Sequence, residues 1–301
     1  MAIELSNLTF TNRADVVPAS GVEQILNTGI ANTLAGSDII TGISTGANLN
    51  NNVGINNYYG VIDTGAGNDT ITGIATGGWG YGIQNYSTNA TIDTGAGKDT
   101  ITATGFTYGI YNIDATINTG AGEDIIIATG GDSGITNGGT IDTGDGSDTI
   151  TGIGGGDGRN YGIANTVGAI IDTGNGNDII TGTGGGGIEY DAAIQNDGII
   201  DTGNGEDSII AYGGFSGMGR VFLGNGQDYL KGFGSGTFNG GSGKDTLELT
   251  SGIYTVGISP AGVNFAKDGI IMNTSEFEQL IAGDTTYNFS NLTNGQTIFV
   301  A

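Results

Sequence analysis

The chain has 301 residues, 62 of them glycine, with two prolines, no cysteine and no histidine; 31 acids against 7 bases give a formal charge of −24. These numbers exclude disulfides, thiolate metal sites, imidazole acid–base chemistry and ordinary zinc sites. They argue against nucleic acid or an anionic membrane as partner and leave cations as the missing neutraliser.

Glycine at this level without a three-residue period is not collagen, and regularly placed isoleucines do not belong to a disordered chain. The remaining class is all-β: a parallel β-helix or β-solenoid of about nine to ten coils with a cap at each end. Residues 1–25 are read as the N-terminal cap. Ile3, Leu5, Leu8 and Phe10 suggest a strand there, and Gly21 to Leu26 a short turn or helix. Met1 to Phe10 has neither a basic nor an apolar leader region, and no run is long enough to span a bilayer, so membrane insertion is not expected.

Residues 26–250 are built on one repeated stretch, cleanest at Ile171-Asp172-Thr173-Gly174-Asn175-Gly176-Asn177-Asp178-Ile179-Ile180. The pattern ends nine times in an Asp: Asp38, Asp69, Asp99, Asp124, Asp148, Asp178, Asp207, Asp228 and Asp245. Each has Gly two positions before it and Ile or Leu two positions after it. Alternating glycines let the backbone turn through positive φ and leave carbonyls uncovered. They occur as Gly65 and Gly67, Gly95 and Gly97, Gly120 and Gly122, Gly144 and Gly146, Gly174 and Gly176, Gly203 and Gly205, Gly224 and Gly226, and Gly241 and Gly243. An Asp closing such a turn adds a carboxylate to a ring of carbonyl oxygens, a hard-oxygen donor set that suits calcium. The alternating residues that follow predict a short strand with its Ile inward.

Successive Asp residues are 31, 30, 25, 24, 30, 29, 21 and 17 positions apart. A fixed turn with a loose period marks a coil whose other side carries loops of different size. Between the Asp turns lies a second motif, as in Tyr81-Gly82-Ile83-Gln84-Asn85 and Tyr108-Gly109-Ile110-Tyr111-Asn112. It predicts a further strand with one inward Ile and a column of Asn side chains forming an amide ladder. Three strands per coil follow. The tail, residues 251–301, has lost the repeat and is richer in aromatics, and it is read as a C-terminal β cap.

The turn resembles the nonapeptide of the RTX, or haemolysin-type, calcium-binding proteins, most literally at Gly240-Gly241-Ser242-Gly243-Lys244-Asp245-Thr246-Leu247. The resemblance implies calcium held between stacked coils by loop carbonyls and the Asp carboxylates. It also implies export by type I secretion through an uncleaved C-terminal signal, to which the ending Ile298-Phe299-Val300-Ala301 is similar. Here the first Gly of the family pattern is usually Thr, and most coils hold one turn, so one row of ions along the Asp column is expected. Leu34 in place of Gly makes the first copy the weakest.

The expected function is that of a secreted, calcium-binding structural protein of the cell surface or extracellular matrix, folding on calcium and able to self-associate end to end through the strand edges that a solenoid exposes. No catalytic residues are assigned, and the chain is not expected to be an enzyme. Only three arginines are present, and the one irregular cluster is Glu189, Tyr190 and Asp191. The rival reading is a protein that binds or cleaves a surface polysaccharide. A groove lined by aromatic and acidic residues outside the Asp column would favour it. Asp63, Asp93, Asp142, Asp172 and Asp201 are read as outward and solvated.

Overall fold

A computed structural model describes residues 2–18, 24–45, 52–155, 160–184 and 192–301. Each coil contributes three short strands, named here by position. The Asn strand carries the second motif, the approach strand leads into the Asp turn, and the exit strand leaves it. In one coil these are Tyr81–Tyr86, Thr91–Asp93 and Thr100–Gly105. In the next, the Asn and approach strands run on as one, Tyr108–Asn118. Asn and approach strands build a twenty-stranded sheet, and exit strands dominate a twelve-stranded one.

Pairing between coils is parallel and matches like with like: Ile83 with Ile110, Asn85 with Asn112, Ile62 with Ile92, Ile71 with Ile101. The exit ladder starts one rung before the first motif copy, at Val16–Val17, and ends one rung after the last, at Gln279–Ala282. The stack therefore runs slightly past the expected number of coils. Gln24–Asn27 is a strand rather than the turn or helix expected around Leu26; Ile25 pairs with Ile55 and Asn27 with Asn57. Its Ile-x-Asn spelling is the second motif without its glycine. Residues 19–23 lie outside the described residues.

The core is three aliphatic columns, one from each strand type. Ile55, Ile83, Ile110, Ile135 and Ile163 stack on the Asn face, Ile62, Ile92, Ile117, Ile141 and Ile171 on the approach face, and Ile71, Ile101, Ile126, Ile150 and Ile180 on the exit face, all fully buried. β-branched side chains suit this pleated stack, and each buried Ile contributes about 1.5–3 kcal/mol. The cross-section is so narrow that the Asn and exit strands touch backbone to backbone. A Cβ added at Gly42, Gly73 or Gly152 would overlap the carbonyl oxygen of Gly54, Gly82 or Gly162. That exit-strand column accordingly holds only Gly or Ala from Gly42 to Ala211.

Toward the C-terminus the coils shorten and aromatics replace isoleucine. Phe215 packs on Phe238, and Phe233 on Tyr254, each at 4.9 Å between ring centres. The strands Gly252–Ser259, Gly262–Lys267 and Ile270–Ser275 then pair antiparallel, and Ile270–Ser275 also adds in parallel to Gly236–Asn239. Tyr254, Phe265 and Met272 from this sheet are buried against the end of the columns.

Candidate metal centre

The Asp turn begins with the two glycines. The first has φ between +81° and +98°, from Gly65 through to Gly241, and the second lies at +137° to +152° except at Gly226. Turns stack as the strands do. Gly67 N–H donates to the Ala96 carbonyl at 2.8 Å, and Ala96 N–H to the Gly65 carbonyl at 2.9 Å. The same pair of bonds recurs up the column, so the carbonyls of Gly65, Gly95, Gly120, Gly144, Gly174, Gly203 and Gly224 are used in stitching coil to coil. The Thr that stands where the resembling family has glycine is buried at every copy from Thr33 to Thr202. Its hydroxyl donates to the carbonyl of the equivalent residue in the next coil, as from Thr64 to Thr94 at 3.3 Å and from Thr202 to Leu223 at 2.9 Å. Leu34 is forced into the left-handed region at φ 75°, where a branched residue is strained.

All nine motif Asp residues point inward and are at most 1% exposed. Each backbone N–H from Asp38 to Asp228 donates to Oδ1 of the Asp in the next coil, at 2.7–2.9 Å. Two residues that the motif search missed close this ladder. Asp15 N–H donates to Asp38 Oδ1, and Glu278 Oε2 accepts from Asp245 N–H, both at 2.7 Å. Both obey the motif's ending of acid, any residue, aliphatic, as Asp15-Val16-Val17 and Glu278-Gln279-Leu280. That spelling was the available signal.

The second oxygen behaves differently. Asp38 Oδ2 accepts the Thr33 hydroxyl, but Oδ2 of Asp69, Asp99, Asp124, Asp148, Asp178, Asp207, Asp228 and Asp245 is buried with no hydrogen-bond partner. Burial pushes the carboxyls of Asp99, Asp148, Asp228 and Asp245 up to about 6 and that of Asp207 to about 7. The amide bonds to Oδ1 pull the other way, as do the nearby Thr94, Thr143 and Thr202 hydroxyls, which lie beside the carboxyls without closing a well-formed hydrogen bond to Oδ2, and charges in neighbouring coils push up further.

Among the described residues no three acidic side chains converge on one point. A cation in this column would therefore take a single carboxylate from each coil and complete its shell with backbone and hydroxyl oxygens. Eight buried carboxylate oxygens that close no hydrogen bond fit a hard divalent cation of this kind.

The acids that precede the turn lie half-buried on the outer side of the approach strand. Asp172 Oδ1 accepts from Gly174 N–H at 3.1 Å, Asp201 Oδ1 from Gly203 N–H at 3.2 Å, and Asp63 Oδ2 from the Asn32 amide at 2.8 Å. They are turn-closing residues rather than fully solvated ones, and burial raises the carboxyls of Asp63, Asp142 and Asp201. Glu189, Tyr190 and Asp191 lie outside the described residues.

No protein-family model and no curated protein matches the chain. The likeness of its turns to calcium-binding nonapeptides thus rests on the motif residues alone. Among solved structures it is similar to a hyperactive, Ca2+-dependent, beta-helical antifreeze protein from an Antarctic bacterium, at 15% identity and a TM-score of 0.39, over 93% of this chain and 94% of that one.

Proposed function

We propose that this chain is a calcium-stabilised β-solenoid that serves as non-catalytic structural material at the cell surface or in the extracellular matrix. The observation that carries the reading is the column of buried Asp residues, each with one oxygen accepting an amide from the preceding coil and, in eight of them, one that closes no hydrogen bond. An ionised carboxylate buried without a partner costs several kcal/mol, and the column repeats that cost coil after coil. A divalent cation between coils reverses its sign by turning repulsion along the stack into attraction.

Where calcium is scarce, the acidic, glycine-rich chain stays unfolded and exportable; outside the cell, millimolar calcium drives the coils to stack. The chain supplies the residues this needs: the Asp carboxylates as ligands, the glycines that let the turns nest, and the buried Thr hydroxyls beside them. No helix among the described residues is long and apolar enough to cross a membrane. End-to-end association uses strand edges such as Ala2–Glu4, which among the described residues pairs on one side only, with Gln24–Leu26.

Circular dichroism and light scattering of the calcium-stripped protein, followed by calcium titration, test the reading. A largely disordered spectrum with at most a low-temperature melting transition, becoming β-rich and melting far higher with calcium, is expected, with scatter rising if copies join end to end. A stripped protein already folded, with a melting temperature indifferent to calcium, would sink it.

A further inference from the structure

At the corner where exit strands give way to Asn strands, three consecutive coils form an open pocket of about 360 Å³ lined by Gly78, Trp79, Phe106, Thr107 and Asp132. Its size falls within the range of small-molecule sites, roughly 300–1,000 Å³. In the coils around it the apolar side chains point inward as isoleucine columns, whereas Trp79 and Phe106 are 62% and 63% exposed. They sit in corner loops that differ between coils, five residues (76–80) around Trp79 and two (106–107) at Phe106, so neither belongs to a repeating column.

The aromatic surface continues past the pocket. Tyr81, Tyr108 and Tyr111 pack on one another at 5.3–5.5 Å, and Tyr58 stacks on Tyr86 at 5.5 Å with ring planes 7° apart. Tyr81, Tyr108 and Tyr111 spend their faces on each other, which leaves Trp79 and Phe106 as the exposed rings at this corner. Asp132 lines the pocket, and its charge, after burial, helps raise the Tyr108 hydroxyl.

We propose that this corner binds a neutral polysaccharide chain, with the apolar face of a sugar ring against Trp79 and Phe106 and its hydroxyls donated to Asp132. A ligand with one apolar face and a rim of donors matches exposed aromatics beside a carboxylate. The chain's charge of −24 disfavours anionic polymers. The rival occupant is a quaternary ammonium group, which aromatic rings and a carboxylate also attract. The inference does not depend on calcium: its residues lie outside the Asp column, and the test is run in millimolar calcium so that the fold is intact on either reading.

Trp79 is the chain's only tryptophan, so its emission reports on this pocket alone. The full chain is titrated with cellohexaose, laminarihexaose, chitohexaose, maltohexaose and mannohexaose, and in parallel with tetramethylammonium. At least one hexaose is expected to shift the emission saturably. Phe106→Ala and Asp132→Asn, each with unchanged circular dichroism, are expected to weaken that binding by about ten-fold or more, a loss of about 1.4 kcal/mol. A response to none of the sugars, a response to tetramethylammonium instead, or undiminished sugar binding by both variants would overturn it.

Discussion

The two oxygens of each column Asp do different work, and single substitutions separate them. In Asp148→Asn the Oδ1 that accepts from Asp124 N–H at 2.8 Å is kept, while the buried charge on the orphaned Oδ2 is removed. The calcium-free protein is therefore expected to melt at the same temperature or higher, and the rise that calcium produces to shrink. Asp148→Ala instead leaves the Asp124 amide unpaired in the interior and costs about 1–3 kcal/mol with or without calcium. Equal losses in the two calcium-free variants, read from denaturation midpoints, would show that the charge is no burden. Gly146→Ala should be worse than either: its φ is +151° and a Cβ would overlap the Gly122 carbonyl, so a loss above about 4 kcal/mol or failure to fold is expected. The Asp and glycine positions were readable because stacked coils reuse the same residue at the same place. The Thr64 hydroxyl and the narrow contact at Gly42 were not, since their reasons lie in a neighbouring strand rather than in the turn's own spelling.

Along the Asn strands the same reuse becomes a continuous ladder. From Asn27 to Asn196 each side-chain amide donates to the Oδ1 of the next, at 2.7–2.9 Å. It also donates to approach-strand backbone, as Asn112 does to Thr140 at 3.0 Å. Asn112→Ala strands the Asn85 amide on one side and the Asn137 and Thr140 acceptors on the other, at about 1–3 kcal/mol per group left unpaired. Asn27→Ala removes donors only, because Asn27 Oδ1 has no partner. Urea midpoints should therefore fall further for Asn112→Ala than for Asn27→Ala; equal shifts would mean that the ladder is not cooperative along its length. The ladder was legible from the recurring Ile-x-Asn. The corner pocket was not, because loop length between exit and Asn strands varies from coil to coil, and only the folded stack brings Trp79, Phe106 and Asp132 together.

For the whole molecule the Asp column makes stability depend on pH in opposite senses with and without calcium. Asp99, Asp148, Asp228 and Asp245 are raised to about 6 and Asp207 to about 7 in the folded chain, against about 3.9 for Asp in an unfolded one. The calcium-free fold thus binds protons that the unfolded chain releases. Its stability is fully present below about pH 4 as far as these groups are concerned, and it declines as pH rises through the window from about 4 to 7, by up to about 1.4 kcal/mol per pH unit for each group. Calcium needs the ionised form, so protons compete with it. In millimolar calcium the stabilisation is expected to grow as pH rises through the same window and to disappear in acid. Melting curves recorded from pH 4 to 8 in chelator and in calcium should therefore converge at the acid end and separate steadily toward pH 8. Parallel curves at every pH would mean that cations act on the solvated outer acids, where no desolvation couples them to protons, and not on the buried column.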